Sequence, residues 1–359
     1  MNSNDKIKDS VCDFDNLYKS MKKCKKGVMW KDSVARYSNN GLASVLKLKD
    51  SLMNETYSID KYHEFMIYEP KQREIVSTKF KDRVFQRSLC DNYIYSAITN
   101  DFIHDNGACQ VDKGTDFARD RLICHLERYY RRYGNTGYVL NIDFKNYFGS
   151  THHDVAIKSI EKRVKNEWAK QHVVDIIKSY NQGENPDVGL GLGSQVTQLI
   201  QLAVLSDLDH YIKEELKIKF YMRYMDDLIL IHPSKEYLKK CLDKISAKIE
   251  SLNLNLNKKK TQIHSMNQPI KFLGFNYKLT DSGKVVMTVV KSNIKKRKRK
   301  IRAHRRLFDE GKMTKAKADE CYESWKAHVK KGDSYQLVEM MDEFYEGVWK
   351  GVERICLNF

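Results

Sequence analysis

Residues 220–232 read Phe-Tyr-Met-Arg-Tyr-Met-Asp-Asp-Leu-Ile-Leu-Ile-His, two adjacent carboxylates between two apolar, strand-forming runs. Strands this hydrophobic are normally buried, and an ionised carboxylate buried without a cation or donors is strongly disfavoured. The economical arrangement is a β-hairpin whose tight turn carries Asp226 and Asp227 into a cleft, where their oxygens hold a divalent cation. The alternative is an acidic turn facing water. Two features weigh against it: a second acidic strand end lies upstream, and the chain is strongly basic.

That second element is Gly-Tyr-Val-Leu-Asn-Ile-Asp-Phe-Lys-Asn-Tyr-Phe, residues 137–148. Tyr138 to Ile142 read as a short apolar strand, with Asp143 where the strand should emerge. Two acidic strand ends side by side in one sheet would share two metal ions about 3.5–4 Å apart, an arrangement suited to in-line phosphoryl transfer. One ion would activate an attacking hydroxyl and the other would neutralise charge on a triphosphate.

On these residues the chain resembles reverse transcriptases, of a prokaryotic retroelement type related to group II intron enzymes. Tyr224-Met225-Asp226-Asp227 matches that family's signature box, and the strand ending at Asp143 matches its other metal-binding box. The resemblance implies an α+β right-hand polymerase with fingers, an antiparallel palm sheet backed by helices, and a helical thumb. It implies Asp143 and Asp226 as principal ligands of two Mg²⁺ ions, with Mn²⁺ a possible substitute, and Asp227 as a weaker ligand. Phe148 falls where the family places an aromatic gate against a nucleotide 2′-hydroxyl, which implies dNTP substrates; an ordinary core Phe beside Tyr147 is the alternative.

Further boxes occur in the family's order. Tyr68-Glu69-Pro70-Lys71-Gln72-Arg73-Glu74-Ile75 resembles the fingers hairpin, which implies that Lys71 and Arg73 grip the triphosphate; such side chains suit phosphate, Arg as a bidentate donor and Lys as a point charge. Gly189-Leu-Gly-Leu-Gly-Ser-Gln-Val-Thr-Gln198 precedes an apolar helical run, and its alternating glycines would let the backbone approach a ligand closely. The resemblance makes it the template and nucleotide loop, with Gly193 and Gln198 at the dNTP. An apolar Leu192 stands where relatives usually have Gln, and Gln198 where they have Pro. This departure resembles diversity-generating retroelement enzymes and some antiphage defence enzymes, and raises error-prone copying as an expectation.

Leu254-Asn-Leu-Asn-Lys-Lys-Lys-Thr261 resembles the box whose Lys protonates the leaving pyrophosphate, here Lys260, although a solvated charge run also explains Lys258 to Lys260. Lys271-Phe272-Leu273-Gly274-Phe275 resembles the primer grip, with Gly274 read as a close approach of backbone to strand. Asp112-Lys113-Gly114-Thr115 resembles a loop of intron-like enzymes with no assigned role. Ser324-Trp325-Lys326-Ala327-His328 resembles a thumb motif, Trp325 being a core anchor or a base-stacking residue.

A net charge of +17 over 359 residues predicts a polyanionic partner and salt-sensitive binding. Ten of the sixteen residues Lys291 to Arg306 are Lys or Arg. Lys291, Lys295, Lys296, Arg297, Lys298, Arg299, Lys300 and Arg302 are expected on a basic helix along a template–primer duplex, a merely solvated helix being the alternative. Eight cysteines show no C-x-x-C pair or zinc spacing, as expected of reduced thiols in a cytoplasmic protein. No apolar core of a signal peptide and no membrane-spanning stretch is evident.

The expected organisation is an N-terminal helical extension (1–65), fingers (66–136), palm (137–278, with the Gly-rich loop 189–198 near the fingers) and a helical thumb (279–359). Leu42, Val45, Leu46 and Leu52 fall at helical spacing, as do Phe117, Leu122, Leu126 and Tyr129 or Tyr130, and Lys19 to Lys26 form a small basic cluster. The partners that the resemblance implies are an RNA template, expected to be a dedicated non-coding RNA, a DNA primer or cDNA product, and dNTPs, with no membrane. Alternatives are a non-catalytic, maturase-like RNA-binding protein and a template-independent or protein-primed DNA synthesiser on the same fold.

Overall fold

The computed structural model of the chain describes residues 3–68, 72–181, 185–191 and 193–351. Four helices come first, α1 (Ser3–Cys12), α2 (Phe14–Lys25), α3 (Asp32–Asn39) and α4 (Gly41–Met53). Asp13 caps α2 by accepting from the Asn16 N–H at 3.0 Å, satisfying one of the unpaired donors of the first turn. In α4 the buried stripe is Val45, Leu48 and Leu52, whereas Leu42 and Leu46 are exposed. The apolar positions read as one stripe therefore lie on two faces, because every third or fourth residue drifts around the helix when several apolar residues are adjacent.

Strands β1 (His63–Ile67) and β2 (Arg73–Ser77) pair antiparallel, Ile67 opposite Arg73, as the expected fingers hairpin requires. Next come α5 (Phe80–Leu89), α6 (Tyr95–Thr99) with a π-helical turn Cys90–Ile94 between them, and α7 (Thr115–Tyr133). On α7, Leu122, Leu126 and Tyr129 are fully buried, the apolar face expected of them. Strand β3 (Tyr138–Ile142) leads into α8 (Tyr147–Ser150), α9 (His153–Arg163), α10 (Glu167–Ser179), α11 (Gln195–Val204) and α12 (Ser206–His210). The hairpin β4 (Phe220–Tyr224) and β5 (Asp227–His232), helix α13 (Lys235–Ser251) and strand β6 (Gln262–Ser265) complete a four-stranded sheet of order β4-β5-β3-β6.

Strands β7 (Ile270–Phe272), β8 (Phe275–Leu279) and β9 (Val285–Val289) form an antiparallel sheet before α14 (Lys291–Asp309), α15 (Lys315–Val329) and α16 (Tyr335–Lys350). The region 279–359, expected to be wholly helical, thus contains a strand. Val285-Val-Met-Thr-Val289 is β-branched and alternates inward and outward, a period-2 signal that the basic run after it masks. The fold is mixed α+β. It divides into two compact units, one of residues 1–118, 140–230 and 236–262, the other of 119–139, 231–235 and 263–359.

In the second unit Arg119 lies over the Phe275 ring at 5.2 Å, the Tyr130 hydroxyl donates to the Asp281 carbonyl at 2.7 Å, and Asp333 accepts from the Met287 N–H at 2.8 Å. Among the described residues no helix is long and apolar enough to cross a membrane, and the seven described cysteines are free thiols.

Candidate active site

Every candidate residue of the acidic site lies in the first unit. β4 and β5 are buried along most of their length, with Tyr221, Met222, Leu228, Ile229 and Leu230 at 3 % exposure or less. Only two residues, Met225 and Asp226, connect the strands, so the turn has to reverse within one peptide unit. Met225 takes φ 55°, in the left-handed region that side chains larger than Gly enter at a cost. The sheet order sets β3 beside β5, and the charge of Asp143, the residue after β3, acts on Asp227, the first residue of β5.

Residues 255–261 wrap the backbone of Asp143. Phe144 and Leu256 form an antiparallel bridge, the Asn257 N–H donates to the Asp143 carbonyl at 2.8 Å, and the Lys145 N–H donates to the Asn255 carbonyl at 2.8 Å. The Asp143 N–H donates to the Thr261 hydroxyl at 3.3 Å. This clamp places the Lys260 ammonium 2.7 Å from Asp143 Oδ2, and chiefly through that hydrogen bond the Lys260 pKa is raised. Burial, followed by the charges of Asp226 and Asp143, pushes Asp227 up to about 7, against the opposing pull of Lys260. Three carboxylates and one ammonium therefore share one field.

This cluster fits a divalent cation in its chemistry. Asp143 Oδ1 is buried with no hydrogen-bond partner, an expensive condition for a carboxylate oxygen that a cation would relieve. Among the described residues, however, no three His, Cys, Asp or Glu side chains are gathered as a ready-made ligand group.

Behind the turn lies a pair that sequence reasoning missed. Arg223 and Asp209 are both fully buried, and the guanidinium meets the carboxylate through Nε at 2.8 Å and Nη2 at 2.6 Å. The remaining donors go to the Leu202 carbonyl (3.0 Å) and the Met225 carbonyl (3.0 Å), while the Tyr221 hydroxyl donates to Asp209 at 2.5 Å. One side chain thus joins α12, the end of α11 and the acidic turn. The signal was present: Arg223 is a charge inside the same apolar strand that leads to Asp226 and Asp227.

Cys109 is a second missed neighbour. Residues 105–107 run alongside β4, with the Gly107 N–H on the Arg223 carbonyl (2.9 Å) and the Arg223 N–H on the Asp105 carbonyl (3.0 Å). The Cys109 thiol then lies 3.4 Å from Gln198 Oε1 and 3.8 Å from Met225 Sδ. Lys113 holds this segment, donating to the carbonyls of His104 and Asn106 and to Gln110 Oε1, each at 3.0 Å. The Asp112–Thr115 motif so acquires a structural role.

The Gly-rich loop docks on the chain after Asp143. The Leu190 N–H donates to the Phe148 carbonyl (2.9 Å), the Gly189 N–H to the Thr151 carbonyl (2.8 Å), and His152 bridges Val188. The purpose of two of its glycines differs from the expected one. A Cβ at Gly189 would stand 2.7 Å from the Tyr180 ring and one at Gly191 3.2 Å from it, so these positions make room for an internal side chain. Gly193, at φ 118°, has open space around it; Leu192 lies outside the described residues. Phe148 is half-buried, 6.0 Å from the Tyr147 ring, and Tyr147 anchors itself by donating to the Gln201 carbonyl at 2.6 Å. Lys71 lies outside the described residues, and Arg73 opens β2.

In the second unit, Leu273 (φ 46°) and Gly274 (φ 88°) form the two-residue turn between β7 and β8. Positive φ at both positions is the primed hairpin turn that favours Gly. Gly274 suits that conformation, and a Cβ there would meet no protein atom nearer than 3.8 Å. Phe272 is buried. On α14, Lys291, Lys295, Lys296, Arg299, Lys300 and Arg302 are exposed. Arg297 instead packs over the Trp325 ring (5.4 Å) and donates to the Cys321 carbonyl (3.2 Å), and Lys298 lies over Phe344 at 5.0 Å. Trp325 is 9 % exposed and stacks on Tyr322, the core-anchor alternative.

A family model described as reverse transcriptase (RNA-dependent DNA polymerase) matches residues 71–277, more than half of the chain. No curated protein matches. Among solved structures, the chain is similar to apo telomerase from Candida tropicalis truncated from its C-terminal domain, at 13 % identity and TM-score 0.48, covering 67 % of this chain and 59 % of that one. It is also similar to telomerase from Candida albicans in complex with a TWJ fragment of telomeric RNA, at 12 % identity and TM-score 0.47, covering 73 % and 55 %. The chain thus spans less than two thirds of the length of these structures.

Proposed function

The chain belongs to the reverse transcriptase (RNA-dependent DNA polymerase) family, and on that premise we propose that it copies an RNA template into DNA by nucleotidyl transfer at Asp143, Asp226 and Asp227. One observation carries this: carboxylates from two neighbouring strand ends share a field with a single ammonium, and one buried carboxylate oxygen has no partner. A maturase-like binding protein would have no use for such an arrangement.

In this reading a primer 3′-hydroxyl attacks the α-phosphorus of a dNTP, the new phosphodiester forms, and pyrophosphate leaves. Asp143 and Asp226, helped by Asp227, would hold Mg²⁺, which supplies charge neutralisation at the triphosphate and a more acidic attacking hydroxyl. The protein's own contribution is mostly positioning. Arg223 fixes the acidic turn from behind. Lys260, already protonated beside Asp143, is placed to give a proton to the leaving pyrophosphate. The roles that the resemblance implies are Phe148 toward the sugar, Gln198 and Gly193 toward the base pair, and Lys71 and Arg73 toward the triphosphate. Phe272, Leu273 and Gly274 hold the primer end, and the exposed basic face of α14 tracks the duplex.

The loop in which Leu192 and Gln198 depart from the usual pattern supports a retroelement or antiphage defence setting in a prokaryote, with a dedicated non-coding RNA as template. Primer extension on a defined RNA template tests the core of the proposal. Asp143→Asn and Asp226→Asn are each expected to reduce incorporation at least a thousandfold while RNA binding persists. Incorporation near the parent rate by either variant refutes the assignment.

A further inference from the structure

The basic cluster at Lys19–Lys26 has no part in the chemistry above. Residues 19–31 hold six lysines and no acid. On α2 the buried side is Leu17, Ser20 and Met21, so Lys19, Lys22 and Lys23 share the opposite, exposed face, and Lys26, the exposed residue that caps the helix, follows them. Lys23 is paired with Asp91 at 2.7 Å. Lys19, Lys22, Lys25 and Lys26 make no ion pair among the described residues.

Lysines at a helix C-terminus have an ordinary explanation, since they complement the helix dipole. The dipole does not account for the chain just beyond α2. Two successive turns, closed by the Val28 N–H on the Lys25 carbonyl (3.1 Å) and the Lys31 N–H on the Val28 carbonyl (3.1 Å), present Met29 and Trp30 to solvent. Trp30 is 77 % exposed and Met29 43 %. The Lys31 ammonium lies 5.2 Å from the centre of the indole ring. An indole held in water beside an ammonium, next to a row of lysines of which Lys23 is paired with a carboxylate, offers a stacking platform with cations placed for the adjoining phosphates.

We propose that this surface, the lysine face of α2 with Trp30, is a second nucleic-acid interface that binds a single strand, separate from the acidic site. A duplex keeps its bases stacked on one another and leaves no free face for the ring, so a single strand is the matching partner. An anionic membrane fits less well: the apolar side of α2 is buried, and along residues 14–31 the exposed apolar side chains are Met29 and Trp30, bracketed by Lys26 and Lys31. Binding at this surface does not depend on polymerase activity at the acidic site. In α1–α4 the extensive packing is with one another, with α5, with the π-helical turn 90–94 and with α10.

The test uses the full chain loaded with a saturating hairpin template–primer duplex, to which labelled oligouridylate or oligothymidylate is then added. The loaded protein is expected to bind the single strand. Trp30→Ala should weaken that binding about tenfold, as loss of one stacked base does. Lys22→Gln with Lys26→Gln should reduce the slope of log affinity against log salt by about 1.4, roughly 0.7 for each phosphate contact. Extension of the hairpin primer should be unchanged in all these variants. Equal affinity for the two strands assigns recognition to phosphate and base, and tighter oligouridylate binding adds the 2′-hydroxyl; both uphold the surface. It is overturned if the loaded protein binds no strand, if Trp30→Ala binds as tightly as the parent, or if Trp30 matters only for phosphatidylserine vesicles.

Discussion

The Arg223–Asp209 pair at the floor of the site presents a question of cost. A fully buried ion pair contributes little net stability, because desolvation consumes most of the attraction, yet removing one partner strands a charge and costs about 3–5 kcal/mol. What the pair supplies is a hydrogen bond to the carbonyl of Met225, the residue held at φ 55°. Arg223→Ala should therefore lower unfolding free energy by about 3–5 kcal/mol in urea. Arg223→Met combined with Asp209→Leu should recover most of that loss but leave dNTP incorporation at least tenfold slow, since the turn is no longer held. Full activity in the double variant would show the pair to be packing alone. Phe148 allows a separate test: if its ring faces the nucleotide sugar, Phe148→Ala should raise incorporation of rNTP relative to dNTP by tenfold or more, and unchanged sugar selectivity would return it to the core. At this scale the acidic residues were legible, because carboxylates beside apolar strands are physically conspicuous. Asp209 and Cys109 were not, since neither stands out locally and only the tertiary fold brings them to Arg223 and Gln198.

The elements show which sequence signals carry over and which mislead. Strands β3, β4 and β5 were readable from short apolar runs interrupted by acids, and α7 from a face of Leu122, Leu126 and Tyr129. β9 was hidden by the basic helix after it, and α4 carries apolar residues on two faces, so spacing alone could not say which was buried. Glycines are harder still, since their value lies in what they avoid. Gly189 combines φ 101° with a Tyr180 ring 2.7 Å from the position of an added Cβ. Backbone strain and displacement of a packed ring both penalise Gly189→Ala, by about 1–3 kcal/mol together, and the docking of the loop on Phe148 and Thr151 should loosen. The expected result is a lower thermal midpoint and a raised KM for dNTP. Tyr180→Ala in the same chain should restore part of the stability by removing the collision. A Gly189→Ala protein that melts with the parent would mean that the loop adapts at no cost.

For the whole molecule the main quantity is charge. A net +17 makes affinity for polyanions large and salt-dependent, but it does not say which cations touch phosphate, because a lysine or arginine serves packing as readily through its stem and its planar head. Along α14 Lys291, Lys295, Arg299 and Arg306 lie on one exposed stripe, whereas Arg297 covers Trp325 and holds the Cys321 carbonyl and Arg302 packs over Phe344 at 5.1 Å; we propose that the first set serves phosphate and the second packing. Replacing Lys291, Lys295 and Arg299 by Gln should therefore leave the melting temperature within a few degrees and flatten the salt dependence of template–primer binding by about 2–3 units of log–log slope. Arg297→Gln should do the reverse, lowering the melting temperature while the slope stays as it was. If both sets of substitutions change the slope equally, Arg297 also contacts phosphate and the division between a binding stripe and a packing face fails.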